Sequence, residues 1–92
     1  MPLAQRVTFQ AALEKCSKVQ IPRLIRWQFK LEPDQVLRVE VKLLDSWVSS
    51  QFYYARMTKD GRIRVPRLVL SVLGDEKPSL AGCILEVTLE PA

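Results

Sequence analysis

The feature that most constrains this chain is a pattern written twice. Gly61-Arg62-Ile63-Arg64-Val65-Pro66-Arg67-Leu68-Val69 reads as a turn glycine, a strand with arginines on one face, and a proline that opens a helix. Lys18-Val19-Gln20-Ile21-Pro22-Arg23-Leu24-Ile25 carries the same pattern earlier in the chain. Proline suits the first position of a helix, where its missing N–H is not needed, and it holds the residue before it extended. Each copy therefore predicts a short strand that passes directly into a helix.

The flanking segments extend the repeat. Val7, Phe9, Ala11 and Leu13 alternate with Thr8, Gln10 and Ala12, and Tyr53, Ala55 and Met57 take the matching places in the second copy. Alternation of this kind marks a half-buried strand. Polar residues Glu14 to Ser17 turn the first copy and Lys59-Asp60-Gly61 turns the second, so each copy is expected to begin with a hairpin. The helices present Leu24, Ile25 and Phe29, or Leu68, Val69, Val72 and Leu73, as their apolar sides. Arg23, Arg26 and Lys30 are left toward solvent, and Trp27 is read as a packing residue. Leu37, Val39, Val41 and Leu43 then alternate with Arg38, Glu40 and Lys42, as Leu85, Val87 and Leu89 do with Glu86, Thr88 and Glu90. The reading is two ββαβ repeats in one domain, residues 7–44 and 52–90, with 45–51 as the joint. Residues 1–6 form a loose lead-in.

Three strands with one apolar face would leave exposed edges that seek partners. Two such units paired about a pseudo-twofold axis can close into a six-stranded barrel. The expected fold is thus mainly β with two short helices, a closed barrel filled by its own side chains.

Composition narrows the chemistry. With 92 residues there is material for one core, and a second copy of the chain would serve to cover leftover apolar surface, giving a monomer or weak homo-oligomer. There is no histidine and there are only two cysteines, Cys16 and Cys83. Zinc sites and histidine-dependent nucleophiles are therefore not expected, nor is any cofactor. The three glycines are scattered, so no phosphate loop is present. No apolar run is long enough for a membrane span, and no amino-terminal segment has signal-peptide form, so a cytoplasmic protein is expected. Carboxylates such as Glu14 and Asp34 read as turn residues and not as paired acid and base, so a non-enzymatic one is expected.

The net charge of +4 is unevenly placed. Lys15, Lys18, Arg23, Arg26 and Lys30 cluster in the first copy without an acid between them, and Arg56, Lys59, Arg62, Arg64 and Arg67 surround only Asp60 in the second. Acids prevail after Val72.

Gly61-Arg62-Ile63-Arg64-Val65-Pro66, followed after the helix by Gly82-Cys83-Ile84-Leu85-Glu86-Val87, resembles the AbrB/SpoVT family of swapped-hairpin, cradle-loop barrel proteins. The first copy is similar, with Ile21-Pro22-Arg23-Leu24-Ile25-Arg26 and Glu32-Pro33-Asp34-Gln35-Val36-Leu37-Arg38-Val39. In that family two chains interleave to form a DNA-binding barrel. Two units in one chain imply an intramolecular version, similar to RIFT barrels or to double-psi barrels. Strand faces do not decide between these closures, and a simple tandem of hairpin units favours the RIFT-like one. The resemblance implies nucleic-acid contacts at the arginine after the turn glycine, present as Arg62 and as Lys18, and at the end of the first helical turn, present as Arg26. The second copy has Leu70 at that helical place, and Ser17 stands where the first copy would have its turn glycine.

Two functional readings follow. If Tyr53 and Met57 face inward, then Phe52, Tyr54 and Arg56 face outward, and Arg62 and Arg64 do so on the next strand. With Lys59 and Arg67 this hairpin would combine stacking rings with phosphate-binding cations, a surface for DNA or RNA. The other reading is a protein-interaction or adaptor barrel that binds an acidic protein or forms a homo-oligomer. Against both stands the plain alternative of solvated arginines and rings covered by a linker, a helix or a second subunit.

Overall fold

Pro22 and Pro66 determine where the short strands stop, and the rest of the fold is arranged around that limit. The computed structural model describes residues 6–44, 50–74 and 82–91. In chain order its elements are β1 (Val7–Ala12), β2 (Lys18–Gln20), α1 (Arg23–Gln28), β3 (Val36–Leu43), β4 (Gln51–Arg56), β5 (Arg62–Arg64), α2 (Arg67–Gly74) and β6 (Ile84–Pro91). The order ββαβ occurs twice, and the protein is mainly β with two helices.

The strands pair between the halves. One antiparallel sheet of four has the order β1-β6-β3-β4, and a second, two-stranded sheet pairs β2 with β5. Val19 lies directly opposite Ile63, its counterpart in the repeat. The hydrogen bonds around this pair are duplicated: Ile21 N–H donates to Gly61 O at 2.8 Å, and Val65 N–H donates to Ser17 O at 2.8 Å. At the two corners Glu14 N–H donates to Lys18 O and Thr58 N–H to Arg62 O, again both at 2.8 Å. Further out, Asp34 N–H donates to Met57 O at 2.8 Å and Gly82 N–H to Leu13 O at 2.7 Å.

These pairings correct two expectations. The hairpins β1–β2 and β4–β5 do not form as ladders, and the barrel does not close, so neither the RIFT-like nor the double-psi closure describes the hydrogen bonding. The sheets are open, with β1 and β4 as the edges of the larger one. The cause is the length of the short strands. Strands of three residues, closed off by a proline two positions on, offer few backbone partners, whereas β6 matches β1 over six residue pairs. The turns at Ser17 and Gly61 therefore act as corners, handing the chain from the large sheet to the small one.

The alternation in the sequence did give the faces correctly. Leu37, Val39, Val41, Leu85, Val87 and Leu89 point from the large sheet into the same core as Val19 and Ile63 of the small one, all fully buried. Side chains at period two reach one face of a strand whichever strand lies beside it. The helices depart from expectation. Leu73 and part of Ile25, Phe29 and Val69 pack on the core, but Leu24 is 68% exposed and Leu68 77%. A helix of six residues has room for less than two full turns, so only one edge of α1 reaches the core. Ser50 and Gln51 of the expected joint are described, Gln51 as the first residue of β4; residues 45–49, with Trp47, lie outside the described residues, as does most of the loop after α2. No helix among the described residues is long and apolar enough to cross a membrane.

Candidate nucleic-acid interface

With Val19 and Ile63 buried, the remaining side chains of the β2–β5 ribbon must occupy its other face. These are Lys18 opposite Arg64, and Gln20 opposite Arg62. The two members of the first pair carry like charge across one ladder. Lys18 is half-buried and Arg64 exposed, and among the described residues neither is in an ion pair. Lys59 and Arg67 are exposed at the corner before β5 and at the start of α2. They likewise form no ion pair among the described residues.

Arg62 is engaged differently. Its Nε donates to Glu14 Oε1 at 2.8 Å, and its Nη1 donates to Asp60 Oδ2. The Glu14 carboxylate, with Asp60 second, holds the guanidinium firmly protonated. Asp60 is held below the usual carboxylate range first by the Thr58 hydroxyl and then by Arg62. Gln20 Nε2 completes this corner by donating to Asp60 O at 2.8 Å and Gly61 O at 3.2 Å. Arg62 thus ties its own corner, at Asp60, to the corner at Glu14.

Arg26 also has an internal task. Its Nε donates to Ile21 O at 3.1 Å, and its guanidinium covers Gly61, where any Cβ would run into it. Gly61 has φ +81°, a conformation that L side chains rarely adopt, so backbone and space both call for glycine.

Tyr54, Phe52 and Arg56 do face outward, but from the other sheet. Phe52 is 59% and Tyr54 62% exposed, on the outer side of β4. Arg38 lies over the Phe52 ring at 4.4 Å from its centre, and Arg56 Nη1 donates to Asp34 O at 3.1 Å. The neighbouring surface is balanced by acids. Arg6 bridges Glu40 at 3.2 Å and Glu90 at 3.5 Å, and Ser50 donates to Glu40 at 2.6 Å. That hydroxyl, ahead of Arg6 and Arg38, keeps the Glu40 carboxyl below its usual range. The expected single surface of rings and arginines is therefore divided. Arg62 and Arg64 belong to the small sheet, while Phe52, Tyr54 and Arg56 belong to the outer face of the large one.

Trp27 departs from the packing role that the sequence predicts. Trp27 is 77% exposed on α1. It lines an open groove of about 660 Å³ with Arg23, Arg26, Gln28, Lys30 and Leu31. The signal was available, since Trp27 falls four residues after Arg23, on the side of the helix assigned to solvent.

No three His, Cys, Asp or Glu among the described residues stand where they could hold a metal ion. The chain is similar to the solution structure of PHS018 from Pyrococcus horikoshii, with a TM-score of 0.78, covering 99% of this chain and 94% of that one at 17% sequence identity. That likeness is one of fold. No protein-family model and no curated protein matches the chain.

Proposed function

We propose that this protein binds nucleic acid through the outer face of the β2–β5 ribbon, with Lys18 and Arg64 as the central phosphate contacts and Lys59 and Arg67 beside them. The observation that carries the reading is the Lys18–Arg64 pair itself. Like charges directly opposite each other weaken a ladder, and an anion laid between them removes that repulsion. A phosphate backbone supplies such anions in a row and releases counterions when it is neutralised. The resemblance of the Gly-Arg-Ile-Arg-Val-Pro segment to AbrB/SpoVT proteins supports the same class of partner. Arg62 and Arg26 enter this proposal as residues that shape the corner, and Tyr54 and Arg56 fall outside the contact face.

A second reading, an adaptor that docks another protein, is favoured by the exposed Phe52 and Tyr54 on an edge strand. The two are separated by a K18E/R64E double variant, assayed for retention of mixed-sequence DNA and RNA at low salt. Loss of retention in a protein that remains folded supports the nucleic-acid reading; retention equal to the unaltered chain refutes it.

A further inference from the structure

Apart from Arg26, which serves the corner at Gly61, the groove beside α1 has a chemistry that neither the core nor that corner requires. We propose that it is a stacking subsite for single-stranded nucleic acid, with one base laid against Trp27 and the adjoining phosphates held by Arg23 and Lys30. The inference rests on the nucleic-acid reading above and specifies the form of the partner.

Four observations support it. Trp27 is 77% exposed, and the core closes without it. The groove lining carries three cations, Arg23, Arg26 and Lys30, and no carboxylate. Its volume of about 660 Å³ would admit a nucleotide. Arg23 lies about one turn before Trp27 and Lys30 just beyond it, so charge flanks the indole at both ends.

The backbone adds to this. Lys30 has φ 54°, and Leu31 N–H donates to Arg26 O at 2.9 Å, the arrangement in which a helix usually ends on glycine. Lysine stands here where glycine would fit with less strain. Nor does the fold itself demand this set, because in the second half Leu70 and Ser71 stand in the places of Arg26 and Trp27, and only Arg23 has a basic counterpart, Arg67.

The occupant follows from charge and shape together. An acidic peptide would satisfy the cations and leave the indole face without a partner. A membrane surface would need a wider apolar face than a six-residue helix presents. A base next to a phosphate meets both needs, since every base has a face that stacks on an aromatic ring. In a duplex those faces are already stacked, so the subsite selects single strands.

The test uses the full chain with W47F, leaving Trp27 as the sole indole, titrated with oligo(dT), oligo(U), a duplex of matched length, polyglutamate and anionic vesicles. The expected result is saturable quenching of Trp27 by the single strands alone. In the native background W27A should weaken single-strand binding by about tenfold and leave duplex binding unchanged. If W47F does not fold, the W27A comparison carries the test by itself. Suppose single strands bind in a manner that K18E/R64E abolishes, while Trp27 is not quenched and W27A binds normally: the subsite is then refuted and the broader reading stands. Failure of every nucleic acid to bind overturns both. Quenching by polyglutamate equal to that by the oligonucleotides, or a Trp27 response to vesicles alone, also overturns the subsite and assigns the groove to an acidic protein or a lipid surface.

Discussion

Lys18 lies directly across the β2–β5 ladder from Arg64, two cations on one face of a ribbon whose other face, at Val19 and Ile63, is fully buried. The pair cannot turn away without withdrawing those two residues from the core. Its repulsion is therefore built into the fold, and relieving it should stabilise the protein. R64Q is expected to raise stability by about 0.5 kcal/mol at low salt, with the gain shrinking as salt screens the charges. Denaturant titrations of both proteins at two salt concentrations measure this. The same substitution should weaken nucleic-acid binding, opposite in direction to its effect on stability.

Ser17 and Gly61 occupy equivalent corners, at φ 62° and φ 81°. Glycine takes this left-handed conformation without the Cβ crowding that serine meets, so S17G should stabilise the fold by roughly 0.5 kcal/mol after the extra chain entropy of glycine is counted. For a domain of this size that is a rise of about 2–4 °C in thermal midpoint. G61S should be worse than a simple reversal, because the new Cβ would also displace the Arg26 guanidinium. Thermal denaturation of the two variants should move in opposite directions, with the larger change in G61S.

The sequence made the faces of the strands readable and left their partners hidden. Alternation put Val39, Leu89 and Ile63 inside, because period two sorts side chains before any neighbour is chosen. It could not show that the three-residue strands just before Ile21-Pro22 and Val65-Pro66 pair with each other and not with the strand before them. The hairpins were expected on nearness in the chain, and β1 instead found a six-residue match in β6. The ion pairing of Arg62 is hidden in the sequence for a related reason. Its partner Glu14 is remote in sequence and reaches it only when the corners meet. Trp27 was legible in principle, since it shares a helix side with Arg23, but the general tendency of tryptophan to be buried prevailed.

Tyr53 offers a prediction about pH. Its hydroxyl is buried with no hydrogen-bond partner among the described residues, and burial pushes its ionisation well above the ordinary tyrosine range. Y53F removes an unsatisfied polar group and should raise stability by about 1 kcal/mol. The folded state holds this proton more tightly than the unfolded state. The stabilisation is therefore complete below the ordinary tyrosine value of about 10 and is lost as pH rises above it. Unfolding followed from neutral to strongly alkaline pH should show a steeper loss in the unaltered chain than in Y53F.

Contact between the ribbon face and phosphate is read most directly from the salt dependence of binding to a mixed-sequence single strand. With four ribbon contacts, at Lys18, Lys59, Arg64 and Arg67, and two more at Arg23 and Lys30 beside α1, the logarithm of the association constant should fall against the logarithm of salt with a slope of about −4. K18E/R64E should reduce both the affinity and the slope. An absence of binding at low salt, or a slope near zero in the unaltered chain, would contradict the account.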